Sequence, residues 1–283
     1  VADIFPPEGR GKAIGLLASA SGVSAALGVA IVALLLDLGG WKMPFYVIGT
    51  LLLILWVLLW VWLPRSQRQP GRSPAFFSHY REVGSNVTFW WVLAANALQR
   101  MVFFGVFGYL AANLIQTYNM KAGETALPLA LAGAGVIAGG FIGGRMADHR
   151  RRLALFAISC LGSGLLAALV FTAHVSPWVT VALAFGAGGL AITSRAVVPT
   201  LLIELAGRSR TTATGLYALS NQLGVLGGAS VGGLMLALGG FPLVGIFCLG
   251  AAVTAAVVVS LKVRESAEFL ERIALSKAKQ VAE

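Results

Sequence analysis

Residues 10–40 read RGKAIGLLASASGVSAALGVAIVALLLDLGG, and residues 210–240 read RTTATGLYALSNQLGVLGGASVGGLMLALGG. Aligned without a gap, the two stretches share 11 of 31 residues, including the arginine that opens each stretch and the Gly-Gly pair that closes it. Each stretch holds an apolar block of about 20 residues, the length that crosses a membrane as a helix. A repeat of this kind predicts a protein built from two similar helical bundles.

The composition of the whole chain predicts an all-α polytopic membrane protein. Hydrophobic residues make up 58% of the 283 residues and charged residues only 11%, whereas a soluble domain carries about 25% charged residues. The apolar blocks lack the alternation of a membrane barrel, so helices must satisfy the backbone polar groups. The net charge of +10 does not indicate nucleic-acid binding, because the basic residues cluster between the apolar blocks.

The apolar blocks and the Gly and Pro residues between them give a domain plan. We predict that residues 1–63 form the last two helices of an N-terminal bundle, 64–86 a cytoplasmic linker, 87–263 a six-helix C-terminal bundle and 264–283 a cytoplasmic tail. The repeat leaves residues 87–201 without a partner, so we expect four more helices before Val1. The eight predicted spans are 13–36, 43–63, 87–115, 126–147, 153–173, 178–201, 211–237 and 241–261.

The basic residues also predict the orientation of the chain. Alternate loops and the tail carry 17 Lys and Arg residues on one side, and the other loops carry only Lys42 and Lys121. The basic side is expected to be cytoplasmic. The linker and the C-terminus would then lie in the cytoplasm, with the protein in the plasma (inner) membrane.

Three stretches give the chain a resemblance to a known family. They are DIFPPEGRGKAIGL (3–16), LGGWKMPF (38–45) and GGRMADHRRR (143–152). Together they resemble the major facilitator superfamily, with the chain corresponding to helices 5–12 of its two-bundle, twelve-helix fold. The resemblance implies transport of a small molecule by alternating access. The Gly-Pro pair of the family's drug:proton antiporters is replaced here by Gly28-Val29, a departure from the antiporter pattern.

The third stretch is similar to the family's signature loop, in its second-half copy. A carboxylate near a helix end can pair with arginines, so the cluster is expected to latch the cytoplasmic side in one conformation. The alternative is that its basic residues only set the topology. The candidate gating residues are Gly144, Asp148, Arg150 and Arg152.

Arg100 is the sharpest candidate for contact with a substrate. It lies about 20 Å into its span, where a charged side chain must face a bundle interior or a watery cavity. Asn96, Phe103 and Phe107 share its helical face. The alternative is a structural arginine that bonds to neighbouring carbonyl groups.

The sequence contains a second candidate substrate face and a second arginine inside a predicted span. Tyr217 and Asn221, one turn apart, form a second candidate substrate face. We interpret Arg195 as a snorkelling residue or as a partner of Glu204, because it lies near the cytoplasmic end of its span.

We therefore predict secondary transport of a small solute, with export of a drug-like compound or metabolite favoured. An organic-anion carrier that uses Arg100 is the first alternative, and a non-transporting scaffold or truncated inactive product is the second. No catalytic constellation, cofactor motif or metal-ligand cluster is present in the sequence, so no enzyme is predicted. The expected partners are the substrate and the lipid bilayer, and the chain is expected to be a monomer. No span carries a deep carboxylate, so a coupling proton or ion is left open.

Overall fold

The computed structural model describes residues 28, 31–32, 35–36, 38–62, 83–147, 151–195, 197–207 and 209–263. Within these residues the regular structure is helical. Six helices have the length and composition to cross a membrane, and the last of them is long enough for two crossings. The chain divides into two compact units, Val1–Ala75 with Lys121–Ala130, and Phe76–Met120 with Leu131–Glu283.

The helices follow the sequence in the order α1 to α7. A 3₁₀ turn at Ala122–Thr125 precedes α3. The bounds are α1 (Met43–Trp62), α2 (Val87–Tyr118), α3 (Ala126–Ala147), α4 (Arg152–Thr172), α5 (Pro177–Arg195), α6 (Val197–Leu205) and α7 (Arg210–Lys262).

In the first unit, α1 follows a tight turn in which Gly40 has φ 68°, a conformation that favours glycine. All twenty residues of α1 are apolar or uncharged, and Pro44 is its one buried residue. The side chains of α1 are suited to contact with lipid or with other apolar helices.

In the second unit, α2 and α7 form the central helix pair, and α4 and α5 pack around them. Asn86 caps α2, because its side-chain oxygen accepts hydrogen bonds from the backbone N–H groups of Thr88 and Phe89. Large apolar side chains such as Phe89, Leu110 and Phe171 are buried between the helices.

A kink at Gly239 and Gly240 divides α7 into two arms, residues 210–238 and 241–262. Gly240 has φ 72°, which an L side chain rarely adopts, and Pro242 follows it. The 53 residues of α7 would measure about 80 Å as a straight helix. The kink therefore allows one continuous segment to cross a membrane of about 30 Å twice.

The predicted helical membrane fold is confirmed for the described residues. Predicted span 126–147 coincides with α3, and the predicted break before residue 241 is the kink in α7. Predicted span 178–201 is occupied by α5 and α6, on either side of residue 196. Most of span 13–36, of the linker 64–86 and of the tail 264–283 lies outside the described residues.

Candidate substrate site

Arg100 is the charged side chain buried in the middle of α2. It is the fourteenth residue of the helix, about 20 Å from its first residue. Only 8% of its surface is exposed. The expected depth and burial of this arginine are therefore what the structure shows.

The surroundings of Arg100 provide aromatic rings but leave two of its hydrogen-bonding atoms without a partner among the described residues. Its Cζ atom lies 5.3 Å from the ring centroid of Phe103 and 5.0 Å from that of Phe104, so both rings make cation–π contacts. Its Nε and Nη1 atoms are buried and have no hydrogen-bond partner among the described residues. The alternative interpretation, a structural arginine bonded to carbonyl groups, gains no support from these two atoms, and the role of Arg100 stays a prediction.

The aromatic part of the predicted face is also assembled. The rings of Phe103 and Phe107 stack with centroids 4.8 Å apart. The Phe107 ring packs against Gly188 of α5, where an added Cβ would meet its Cζ atom at 2.7 Å. Phe103 and Phe107 thus extend the Arg100 face along α2 towards α5.

The second predicted face, on the first arm of α7, lies against the first. Asn96 donates through Nδ2 to the Ser220 hydroxyl at 2.7 Å and to the Asn221 side-chain oxygen at 3.1 Å. One turn further, Gly224 packs on the Cβ atom of Arg100. A larger residue than glycine there would separate the two helices. The structure therefore brings Asn96, Arg100 and Asn221 together across the α2–α7 contact.

Arg195 joins the same group of side chains, which the sequence did not lead us to expect. Its Nε atom donates to the Tyr217 hydroxyl at 3.2 Å. Tyr217 lies one turn before Asn221, the residue that bonds to Asn96, so this bond links Arg195 to the polar residues around Arg100. The interpretation of Arg195 as a partner of Glu204 is wrong, because the Glu204 carboxylate is paired with Arg152.

Gln99 is a further polar residue at this place that the sequence analysis missed. Its Nε2 atom donates to the Ala191 carbonyl of α5 at 2.5 Å. The side-chain oxygens of Gln99 and Asn96 are buried without a donor among the described residues. The sequence could have indicated this role of Gln99, because a polar side chain in the middle of a membrane span must face the bundle interior or form a hydrogen bond. We call Asn96, Gln99, Arg100, Arg195, Tyr217 and Asn221 the Arg100 cluster.

The predicted gating residues lie near the junction of α3 and α4. Gly144 is in the last turns of α3, and Asp148 and Arg150 lie outside the described residues. Arg152, the first residue of α4, is fully buried and makes two hydrogen bonds to the Glu204 carboxylate of α6, of 3.0 and 2.6 Å. This bidentate ion pair fastens the start of α4 to α6.

No group of three or more potential metal ligands occurs among the described residues. The Arg100 cluster offers guanidinium, amide and phenol groups beside aromatic rings. Such groups bind polar solutes through hydrogen bonds and charge. They do not form a nucleophile–base pair of the kind that covalent catalysis uses.

Comparison with known proteins places the chain in a family. The sequence matches the Major Facilitator Superfamily over residues 1–204. The chain therefore belongs to the Major Facilitator Superfamily, and it is a multi-pass membrane protein of a transporter family rather than an enzyme. The predicted resemblance is confirmed.

Individual relatives agree with this assignment. A protein of Helicobacter pylori (strain P12) named "Probable sugar efflux transporter" is 24% identical over 239 residues, which cover 82% of this chain. The match covers 59% of that relative's length.

Two crystal structures of a bacterial homologue of the human lysosomal transporter Spinster share the fold. Both are inward-facing and both are 18% identical to this chain. For the unoccupied structure the TM-score is 0.52, with 91% of this chain and 70% of the other covered. For the occupied structure the TM-score is 0.55, with coverage of 92% and 70%.

Proposed function

We propose that the protein is a secondary active transporter that moves a small solute out of the cell by alternating access. Membership of the Major Facilitator Superfamily supports transport as the activity. The direction is supported by similarity to the Helicobacter pylori relative named as an efflux transporter. Because the match spans 59% of that relative, the proposal concerns the whole natural protein and not residues 1–283 alone.

The observation that carries the proposal is the unpaired Arg100. An arginine at the centre of a membrane helix costs about 2.5–3.5 kcal/mol on insertion scales. A structural arginine reduces that cost through hydrogen bonds, but Arg100 leaves Nε and Nη1 buried and unpartnered in the described structure. Its charge is therefore not satisfied by the described side chains, as we expect of an arginine that binds a ligand.

The other proposed contacts follow from their positions around Arg100. Asn96, Asn221 and Tyr217 supply amide and hydroxyl groups on one side, and Phe103 and Phe107 supply stacked rings on the other. A solute with polar substituents and an apolar face fits this combination. Both the drug-like compounds and the metabolites predicted from the sequence include such solutes.

The proposed orientation puts the linker and the C-terminus in the cytoplasm of a cell whose plasma (inner) membrane holds the protein. The 17-to-2 distribution of basic residues supports it. The Arg152–Glu204 pair would then lie on the cytoplasmic side. We propose that the signature-loop residues named above act there as a gate.

The proposal is tested by measuring what cells export. Cells that express the natural full-length protein, its Arg100→Gln variant or its Lys262→Gln variant are compared by mass spectrometry of small molecules in the medium. Lys262 is exposed at the end of α7, so its variant controls for the loss of one positive charge.

We expect at least one compound to accumulate outside cells with the unmodified protein and the Lys262→Gln control, and to fall to background with Arg100→Gln. Equal export by the Arg100→Gln variant would show that Arg100 is not part of the transport site. No compound exported above the empty-vector level would argue against the proposed function as a whole.

A further inference from the structure

The Arg100 cluster contains two guanidinium groups and no carboxylate among the described residues. Arg195 is joined to the cluster by its bond to the Tyr217 hydroxyl, one turn before Asn221, which accepts a hydrogen bond from Asn96. Glu124 and Glu204 are the acidic residues in the described part of the chain. Glu204 is engaged with Arg152, and Glu124 bonds to the backbone of Lys121 in the 3₁₀ turn. The positive charge of the cluster is therefore not balanced by a described side chain.

The two guanidinium groups leave hydrogen-bond donors free, and the free acceptors of the Arg100 cluster are the side-chain oxygens of Asn96 and Gln99. Arg100 presents the unpartnered N–H groups of Nε and Nη1, and Arg195 uses only Nε in its bond to Tyr217. In that bond the Tyr217 hydroxyl accepts, so its own proton is left to donate to another group. A set of donors around two positive charges is matched by a group that only accepts hydrogen bonds and carries negative charge.

The rings restrict where such a group can lie. Phe103 and Phe104 lie on one side of the Arg100 guanidinium, with ring centroids 5.3 and 5.0 Å from its Cζ atom and 5.4 Å from each other, so a ligand group must approach from another side. Carboxylate and phosphate oxygens make their strongest contacts with arginine in the plane of the guanidinium. Asn96 is one turn away on the same face, with its Oδ1 atom buried and without a donor. A hydroxyl group of the same ligand can donate to it.

We infer that Arg100 and Arg195, together with the Tyr217 hydroxyl, bind a single carboxylate or phosphate group of the transported solute, and that Asn96 accepts a hydrogen bond from one of its hydroxyl groups. The solute class is a hydroxylated organic anion. This inference rests on the proposed function, because it names the chemistry that the exported solute must carry. It also gives Arg195 a role in the substrate site.

Two ligands that differ at one substituent, neutral in the first and anionic in the second, test the inference. Phenyl β-D-glucoside and phenyl β-D-glucuronide share a ring for Phe103 and Phe107 and the same ring hydroxyl groups, and differ in a hydroxymethyl or carboxylate group. Their affinities are measured by calorimetry on the purified full-length protein. The variants are Arg100→Gln, Arg195→Gln and the Lys262→Gln control.

The unmodified protein and the control are expected to bind the glucuronide at least about ten-fold more tightly than the glucoside. Each site variant is expected to lose about 10- to 100-fold in affinity for the glucuronide, the range of a hydrogen bond to a charged group. Affinity for the glucoside should change by less than about two-fold in the same variants. Two site variants are used so that the result stands if one of them does not fold.

In a second set of measurements, the affinities of the same proteins for glucose 6-phosphate and for glucose are compared. If the same variants weaken the phosphate but not the glucuronide, the inference holds and the group is a phosphate. The inference is overturned if the unmodified protein binds neither charged compound more tightly than its neutral partner, or if the control loses as much affinity as the site variants.

Counterflow of the tighter ligand in proteoliposomes separates the inference from the proposed function. Binding that depends on Arg100 and Arg195 without any counterflow contradicts transport but leaves the anion site in place. Counterflow that is the same in the site variants as in the unmodified protein supports transport and contradicts the anion site.

Discussion

The contact between α3 and α5 leaves no room for a side chain at Gly139, so its replacement by alanine should destabilise the protein. A Cβ atom at this position would lie 2.6 Å from the Gly189 Cα atom, whereas carbon atoms make favourable contacts at about 3.5–4.0 Å. The two backbones would have to separate by about 1 Å. The Thr193 hydroxyl, which donates to the Gly139 carbonyl at 3.1 Å, would be pulled away in the same movement.

The expected loss of stability is the sum of two costs and one smaller gain. Overpacking in a tight contact costs about 1–3 kcal/mol, and a weakened hydrogen bond costs about 1 kcal/mol more. Alanine gains about 0.5–1 kcal/mol over glycine in a helix. We expect Gly139→Ala to lower the free energy of unfolding by about 1–3 kcal/mol.

The same helix supplies matched controls. An added Cβ atom at Gly133 meets nothing within 4 Å, and at Gly140 it meets only the Ile192 side chain at 3.8 Å. Alanine at either position should keep or raise stability by up to about 1 kcal/mol. Gly135, whose Cβ atom would collide with the Phe185 backbone, should behave like Gly139.

Thermal unfolding of the four purified full-length variants in detergent provides the assay. At about 2–4 °C per kcal/mol for a chain of this size, Gly139→Ala should melt at least about 2 °C below Gly133→Ala. If Gly139→Ala melts at or above Gly133→Ala, α3 and α5 do not approach as described, and the reasoning is refuted.

Three other predictions concern polar side chains. In a double-mutant cycle of Arg152→Gln and Glu204→Gln, unfolding in detergent should give a coupling energy of at least about 1.5 kcal/mol, since the pair is bidentate and Arg152 is buried; additive effects would contradict the pairing. Tyr109→Phe removes a hydroxyl that donates to an α7 carbonyl at 2.5 Å, and the same unfolding assay should show a loss of about 1 kcal/mol, whereas no loss would mean that the bond does not form. Arg100→Gln should stabilise the ligand-free protein by about 1 kcal/mol, because an unpaired buried charge costs more than its contacts with two rings return; a lower melting temperature than the unmodified protein would indicate a partner that the described structure lacks.

The helices could be predicted because local signals set their ends. Gly-Gly and Pro residues interrupt the apolar blocks where helices stop, and α3 begins and ends at the predicted residues 126 and 147. The kink in α7 follows from Gly240, whose backbone conformation a larger residue would rarely adopt. These features depend on residues that are close together in the sequence.

Side-chain partners could not be predicted in the same way. From the sequence, either Arg195 or Arg152 could have formed the ion pair with Glu204. The packing of α4 against α6 places Arg152, 52 residues away in the sequence, next to the Glu204 carboxylate. Helical periodicity correctly grouped Asn96 with Arg100, because both lie on one helix. It could not bring Arg195 and Tyr217 to that group, because this requires α5 and α7 to meet.

The two buried arginines of the second unit differ in what neutralises them, and this difference separates a structural role from a binding role. Arg152 is fully buried, but it faces a carboxylate, so its charge strengthens the contact between α4 and α6. Arg100 is nearly as buried, but its guanidinium lies against two aromatic rings, and its Nε and Nη1 atoms have no partner among the described residues. Because its charge is not offset in the described structure, an anionic ligand would relieve a cost that the ligand-free protein bears. A ligand at 100 times its dissociation constant stabilises the state that it binds by about 2.7 kcal/mol. Under the proposed function, an anionic solute bound at the Arg100 cluster would shift the protein towards its solute-bound conformation, which alternating access requires.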